Sequence, residues 1–139
     1  MSLREPGDTI KGQISFSRED VLAFAKITGD DYPLHVDEEL TTESEFGKPI
    51  VQGNLAASSF TKIAGTKFPG ETILIQKEIT FLRPVFVDET YTLSIKLKSI
   101  NNQLNIGEFR NVIKNKEGKT CIVFKSQLKN TEVFRKSSE

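Results

Sequence analysis

The hydrophobic pattern of this chain changes period once, near Glu71, and that change limits the fold more than any other property. Downstream, Ile73, Ile75, Ile79 and Phe81 alternate with mostly polar residues, and Tyr91, Leu93, Ile95 and Leu97 alternate with Thr92, Ser94, Lys96 and Lys98. A period of two marks strands with one buried face. Leu104 to Lys114 and Lys119 to Lys129 continue the series, joined at Asn115-Lys116-Glu117-Gly118, whose residue types suit a hairpin turn. Arg83-Pro84 and the acidic turn Asp88-Glu89 separate the first two strands, and a further short strand is expected over Thr9 to Ser15. Such strands reach roughly ten residues, against a usual five or six.

Upstream of Glu71 the spacing is helical. Ser17 with Asp20 three residues later reads as a helix start, and Val21, Phe24, Ala25 and Thr28 recur on one face. A bend over Asp30 to His35 follows, then a shorter helix from Val36 to Ser44, broken by Phe46-Gly47-Lys48-Pro49. Gly53 to Gly65 is rich in small residues and nearly free of charge, so it reads as a helix buried in the middle of the domain. Helices first and long antiparallel strands afterwards give an α+β class with the helices on one face of a sheet. A long twisted sheet can wrap such a small-residue helix, and its open edges need cover, for which a second subunit is a common answer. One domain over residues 1–139 is expected, with a polar tail that frays after about Thr131.

Composition removes several functions. Lysine plus arginine and aspartate plus glutamate each number 19, and no stripe of basic and aromatic side chains points to nucleic acid or an anionic membrane. Cys121 is the single cysteine and lies in the apolar run Cys121-Ile122-Val123-Phe124, which reads as a buried thiol. One histidine and one distant cysteine supply no metal site. The first residues, Met-Ser-Leu-Arg-Glu-Pro, lack the apolar core of a signal peptide, and no stretch is long enough to span a membrane, so the expected compartment is the cytoplasm.

The histidine is His35, in Thr28-Gly29-Asp30-Asp31-Tyr32-Pro33-Leu34-His35. On a continuous helix Asp30 and His35 would point apart, but Gly29 can end a helix and Pro33 disfavours one at the residue before it. The resulting bend can bring a carboxylate and an imidazole to one small volume, as acid–base chemistry requires. The plainer reading is a histidine at a helix end beside acids in an exposed turn.

At this point the chain resembles the MaoC-like, hot-dog-fold (R)-specific enoyl-CoA hydratases. Their signature, Gly/Ser-x-Asp-x-Asn-Pro-x-His with close variants, is similar to Gly29-Asp30-Asp31-Tyr32-Pro33-Leu34-His35. A second element, which opens the central helix of that family, corresponds to Pro49-Ile50-Val51-Gln52-Gly53-Asn54. A third corresponds to Phe81-Leu82-Arg83-Pro84-Val85-Phe86-Val87-Asp88-Glu89. The resemblance implies Asp30 and His35 as the catalytic pair and Gly53 as the residue whose backbone N–H binds the thioester oxygen. Tyr32, Pro33, Gln52 and Thr61 would stand around the substrate. Two positions depart from the pattern: Tyr32 replaces the family's asparagine and Gln52 its histidine.

The implied activity is reversible addition of water to a 2-enoyl thioester, carried on CoA or on acyl carrier protein, in a homodimer. No metal or redox cofactor is required, and CoA would be part of the substrate. A hot-dog thioesterase is disfavoured, since Gly53 to Gly65 holds no Asp or Glu; a non-catalytic acyl-binding protein is the other alternative, opposed by the presence of both Asp30 and His35 and left open by Tyr32 and Gln52. Phe24, Phe46, Phe60 and Phe81 could line an acyl tunnel or belong to an ordinary core.

Overall fold

A computed structural model describes residues 3–65, 68 and 70–134. The elements run β1 (Thr9–Ile14), α1 (Arg18–Thr28), α2 (Pro33–Val36), α3 (Glu38–Glu43), α4 (Gly53–Gly65), β2 (Ile73–Phe81), β3 (Tyr91–Asn101), β4 (Ile106–Lys114) and β5 (Thr120–Lys129). The strands form one five-stranded sheet in the order β1-β3-β4-β5-β2, antiparallel throughout. This is the α+β layout that the change of period implies, and the single sheet with a helix against one face is the hot-dog arrangement that the resemblance implies.

Strands β3, β4 and β5 bury the residues that their alternation selects, whereas on edge strand β2 the alternating Ile73, Ile75 and Phe81 stay about half exposed. Tyr91, Leu93, Ile95 and Leu97 of β3 are buried, as are Phe109 and Ile113 of β4 and Phe124 and Leu128 of β5. The hairpin between β4 and β5 is held by Asn115, whose Oδ1 accepts from the N–H groups of Glu117 and Lys119 at 3.0 Å each, and Gly118 takes the left-handed conformation at φ 81°.

Helix α4 lies against this face. Ala56, Ala57, Ser59 and Phe60 are buried, and the Phe60 ring meets Phe124 at 5.6 Å and Phe109 at 6.0 Å between centroids. Small side chains let the helix approach the sheet, and the one large ring fills the space between them. Its other flank stays open: Asn54, Ser58 and Thr61 are exposed. Within a single chain the sheet therefore covers one side of α4 rather than enclosing it.

Residues 131–134 pack onto the domain. Phe134 is fully buried and packs edge-on against Phe68 and Phe109, at 5.7 and 5.8 Å. The turn leading to it is fixed by Asn130, whose Oδ1 accepts from the N–H groups of Glu132 and Val133. A single buried aromatic outweighs the polarity of its neighbours. Residues 135–139 lie outside the described residues. Among the described residues no helix is long and apolar enough to cross a membrane.

Candidate active site

Helix α1 aims the loop that follows it. Its start carries a full capping box: the Asp20 N–H donates to Ser17 Oγ at 3.1 Å and the Ser17 N–H donates to Asp20 Oδ2 at 2.9 Å. Such a cap contributes about 1 kcal/mol. Its end is Gly29, at φ 79°, whose N–H donates to the Ala25 carbonyl. Asp30 comes next, with its N–H on Thr28 Oγ1 at 3.1 Å.

His35 stands on a one-turn helix and not on a plain bend. Pro33 occupies the first turn of α2, where a missing N–H costs nothing, and Asp37 both ends α2 and caps α3 through Leu40 N–H. The expected helix from Val36 to Ser44 is thus α3 alone, preceded by this separate turn. Arg18 of α1 clamps α2 from below, donating to the carbonyls of Val36 at 2.6 Å and His35 at 3.4 Å.

The imidazole is oriented by Ile50. His35 Nδ1 lies 2.9 Å from the Ile50 carbonyl, and the Ile50 N–H donates to the Leu34 carbonyl at 3.3 Å. A carbonyl only accepts, so the neutral ring carries its proton on Nδ1 and leaves Nε2 as the proton-accepting atom. One residue further, Val51 N–H donates to the Val85 carbonyl at 2.7 Å, which ties the approach to α4 onto the segment after β2.

Asp30, His35 and Gly53 line one cavity of about 450 Å³. The rest of its wall is mainly apolar, including Phe46, Ile50 and Phe81, with Asn54 and Arg83 as the other polar members. Gly53 is the first residue of α4, so its N–H has no intrahelical acceptor and adds to the positive end of the helix dipole. The Asp30 carboxylate has no hydrogen-bonded or ion-paired partner among the described residues. Asp30, His35 and the first residue of α4 thus border a single, mainly apolar space. A cavity of similar size, about 490 Å³, is lined by outward-facing sheet residues such as Glu78, Arg110 and Lys125 and holds none of these groups.

Tyr32, Pro33, Gln52 and Thr61 are not on the wall of this space. Tyr32 is 60% exposed and meets the His35 ring edge-on at 6.2 Å, and Pro33 starts α2 beneath it. Gln52 is fully buried behind the loop: its Nε2 donates to the Val21 carbonyl at 2.9 Å and to the Asp30 carbonyl at 3.3 Å. Thr61 is exposed on α4, two turns beyond Gly53. Of the aromatic candidates, Phe46 and Phe81 line the cavity and Phe60 belongs to the core. Ile50, Asn54 and Arg83 carry no signal that composition or spacing would single out; the fold alone brings them here. Burial pushes the Cys121 thiol above its ordinary range, in keeping with a structural thiol. Among the described residues no three metal-ligating side chains converge.

Known proteins are similar to this chain in sequence and in fold. The model of the family described as "MaoC like domain" matches residues 3–119. An (R)-specific enoyl-CoA hydratase of Aeromonas caviae is 32% identical over 97 residues, 69% of this chain and 72% of that protein. A mitochondrial 3-hydroxyacyl-(acyl-carrier-protein) dehydratase of Solanum lycopersicum is also 32% identical, over 75% of this chain, which spans 62% of the plant protein's length. Among solved structures, the (R)-hydratase of A. caviae superimposes with a TM-score of 0.84 and 28% identity, covering 90% of this chain and 96% of that one. The matched segment takes in the loop bearing Asp30 and His35, the start of α4 and the strand pattern, and on that ground the chain belongs to the family of MaoC-like domains.

Proposed function

We propose that this chain adds water reversibly to a 2-enoyl thioester, giving an (R)-3-hydroxyacyl thioester. The observation that carries the proposal is the shared cavity of Asp30, His35 and Gly53, with the His35 ring fixed through Nδ1. Hydration requires a hydroxyl at C3, a proton at C2 and stabilisation of the enolate oxygen that develops between the two steps. Asp30 and His35 hold one water between them; a proton leaves it as its oxygen attacks C3, and a proton is delivered to C2. His35 Nε2 is the ring atom that accepts. Each positioned transfer contributes about 10²- to 10⁴-fold. The Gly53 N–H receives the thioester oxygen, a contact of about 3 kcal/mol in comparable oxyanion sites. The chemistry moves protons alone, so the side chains suffice without a metal or redox group.

The thioester is carried by CoA in this reading. Acyl carrier protein is the second reading, favoured by the names of the plant relatives. We further propose a homodimer, supported by the exposed apolar side chains of edge strand β2 and the residue after it: Ile73, Ile75, Phe81 and Leu82 are each about half exposed.

The test follows loss of enoyl-thioester absorbance over a chain-length series from crotonyl-CoA upward, with chiral analysis of the product. Asp30→Asn and His35→Ala should each lower kcat/KM by about 10²- to 10⁴-fold. Absence of turnover at every chain length, or unchanged turnover in both variants, sinks the assignment.

A further inference from the structure

We infer that Arg83 recognises the phosphate of the substrate's pantetheine arm at the mouth of the cavity, an inference that rests on the hydration reading above. Arg83 is the one cationic side chain among the described residues that line the cavity. Its stem is tied down at several points. The N–H groups of Leu82 and Arg83 both donate to the Cys121 carbonyl, at 2.8 and 3.0 Å, and Nη1 donates to the Thr120 carbonyl at 2.7 Å. A guanidinium has five N–H donors in a planar fork. One is used on Thr120, and Arg83 forms no ion pair among the described residues. A pre-placed fork with free donors matches a phosphate oxygen pair better than a flexible ammonium does.

The surroundings decide which end of the ligand it meets. Arg83 is exposed, whereas the deeper wall is formed by buried Val51, Ala56 and Ile122. An apolar acyl chain belongs to that wall, and the charged end of the ligand belongs at the rim. Phe81 lies on Gly53, and Arg83 follows just past the end of β2 on the exposed part of the lining. The rim beyond Arg83 is mixed in charge, with Lys48 and Lys116 standing beside Glu89 and Glu117. Thr120 adjoins the β4–β5 hairpin, which carries Lys116 and Lys119; Lys116 lines a smaller cavity of about 200 Å³ that shares Pro84 with the first. Lys119 reaches only Glu117, at 3.9 Å, with both side chains exposed. The phosphate is common to CoA and to the prosthetic arm of a carrier protein, so the same contact serves either source.

Crotonyl-CoA and crotonyl-pantetheine carry the same reacting group, and the second lacks phosphate. The native chain should prefer crotonyl-CoA by about tenfold or more in kcat/KM, the difference residing in KM, as one charge-assisted hydrogen-bonded contact supplies. Added salt should erode that preference. Arg83→Gln should abolish it, and Arg83→Lys should restore part of it. Equal efficiency on the two thioesters, or a preference that survives Arg83→Gln, overturns the inference while leaving hydration intact. Turnover of neither thioester overturns the hydration reading and this one with it. Should Arg83→Gln not fold, the salt titration of the native chain decides alone: a preference indifferent to salt overturns the inference. A crotonyl carrier protein as third substrate separates the sources, since a higher kcat/KM than for crotonyl-CoA assigns the arm to a protein and a lower one to the nucleotide.

Discussion

The ring of Phe81 occupies the space that a side chain on Gly53 would need: a Cβ built there would stand 2.8 Å from Phe81 Cζ, with Cε1 nearer still. Glycine at this position therefore serves two demands, room for a ligand at the helix N-terminus and contact with an aromatic ring at the end of β2.

The two demands separate in a double-variant cycle. Gly53→Ala displaces the ring and the first turn of α4, and turnover should fall by about 10²-fold, the scale of losing one oxyanion donor. Phe81→Ala in the same chain removes the clash. Steady-state kinetics should then show most of the loss recovered. A loss that persists undiminished in the double variant would show that the ligand, not Phe81, requires glycine.

Gln52 joins two segments that must stay in register, α1 through the Val21 carbonyl and the catalytic loop through the Asp30 carbonyl. Gln52→Leu leaves both carbonyls without this donor in a fully buried place, at about 1–3 kcal/mol. The expected result is a lower denaturation midpoint together with a fall in kcat that exceeds any rise in KM. Gln52→His should keep activity, because one ring N–H can serve either carbonyl. Unchanged stability and kinetics in Gln52→Leu would remove Gln52 from the support of the loop.

Much of this molecule is legible in the sequence, and what is missed has specific causes. The alternation from Tyr91 to Leu97 fixes which face of β3 is buried, because a strand has a period of two whatever its neighbours are. The small residues of α4 announce close approach to a sheet. The turn at Pro33 is read as a stop, although proline is equally at home at the start of a helix, and only the Ile50 and Arg18 contacts decide between the two. Asp30, His35 and Gly53 come from short motifs in the right order. Ile50 and Arg83 stand inside those motifs, but their contacts are not legible there, since Ile50 acts by its backbone carbonyl and Arg83 is held by a carbonyl on β5. The burial of Phe134 is not legible in average polarity, which says nothing about one phenylalanine in a socket of aromatic rings.

That socket yields a stability prediction. Phe134→Ala removes a fully buried ring and should cost about 3–5 kcal/mol. Gly107 is the matching element on β4, since a Cβ there would stand 2.7 Å from Phe134 Cζ. Gly107→Ala should destabilise the native chain, and its cost should largely vanish in the Phe134→Ala background, a non-additive cycle read by urea denaturation. Additive costs would mean that the two residues do not share one space.

Lys77 is the one cation of β2 directed toward α4. Its Nζ donates to the Ala57 carbonyl at 3.4 Å and lies 5.2 Å from the centre of the Phe124 ring. Burial pushes its pKa below the ordinary 10.5. The unfolded chain therefore holds this proton more firmly than the folded one, and stability gained from deprotonation rises with pH across the window between the two values. Below the folded value the penalty for the charged form is present in full. Lys77→Met removes the penalty and keeps the stem, so the variant should melt higher than the native chain at neutral pH. The gap should close as pH rises toward 10.5, where the native ammonium loses its proton in both states. The difference in Tm between the two chains, followed from pH 7 upward, measures this directly and cancels the titration of every other group. A variant that melts lower at neutral pH would show instead that the Ala57 and Phe124 contacts outweigh the burial of the charge.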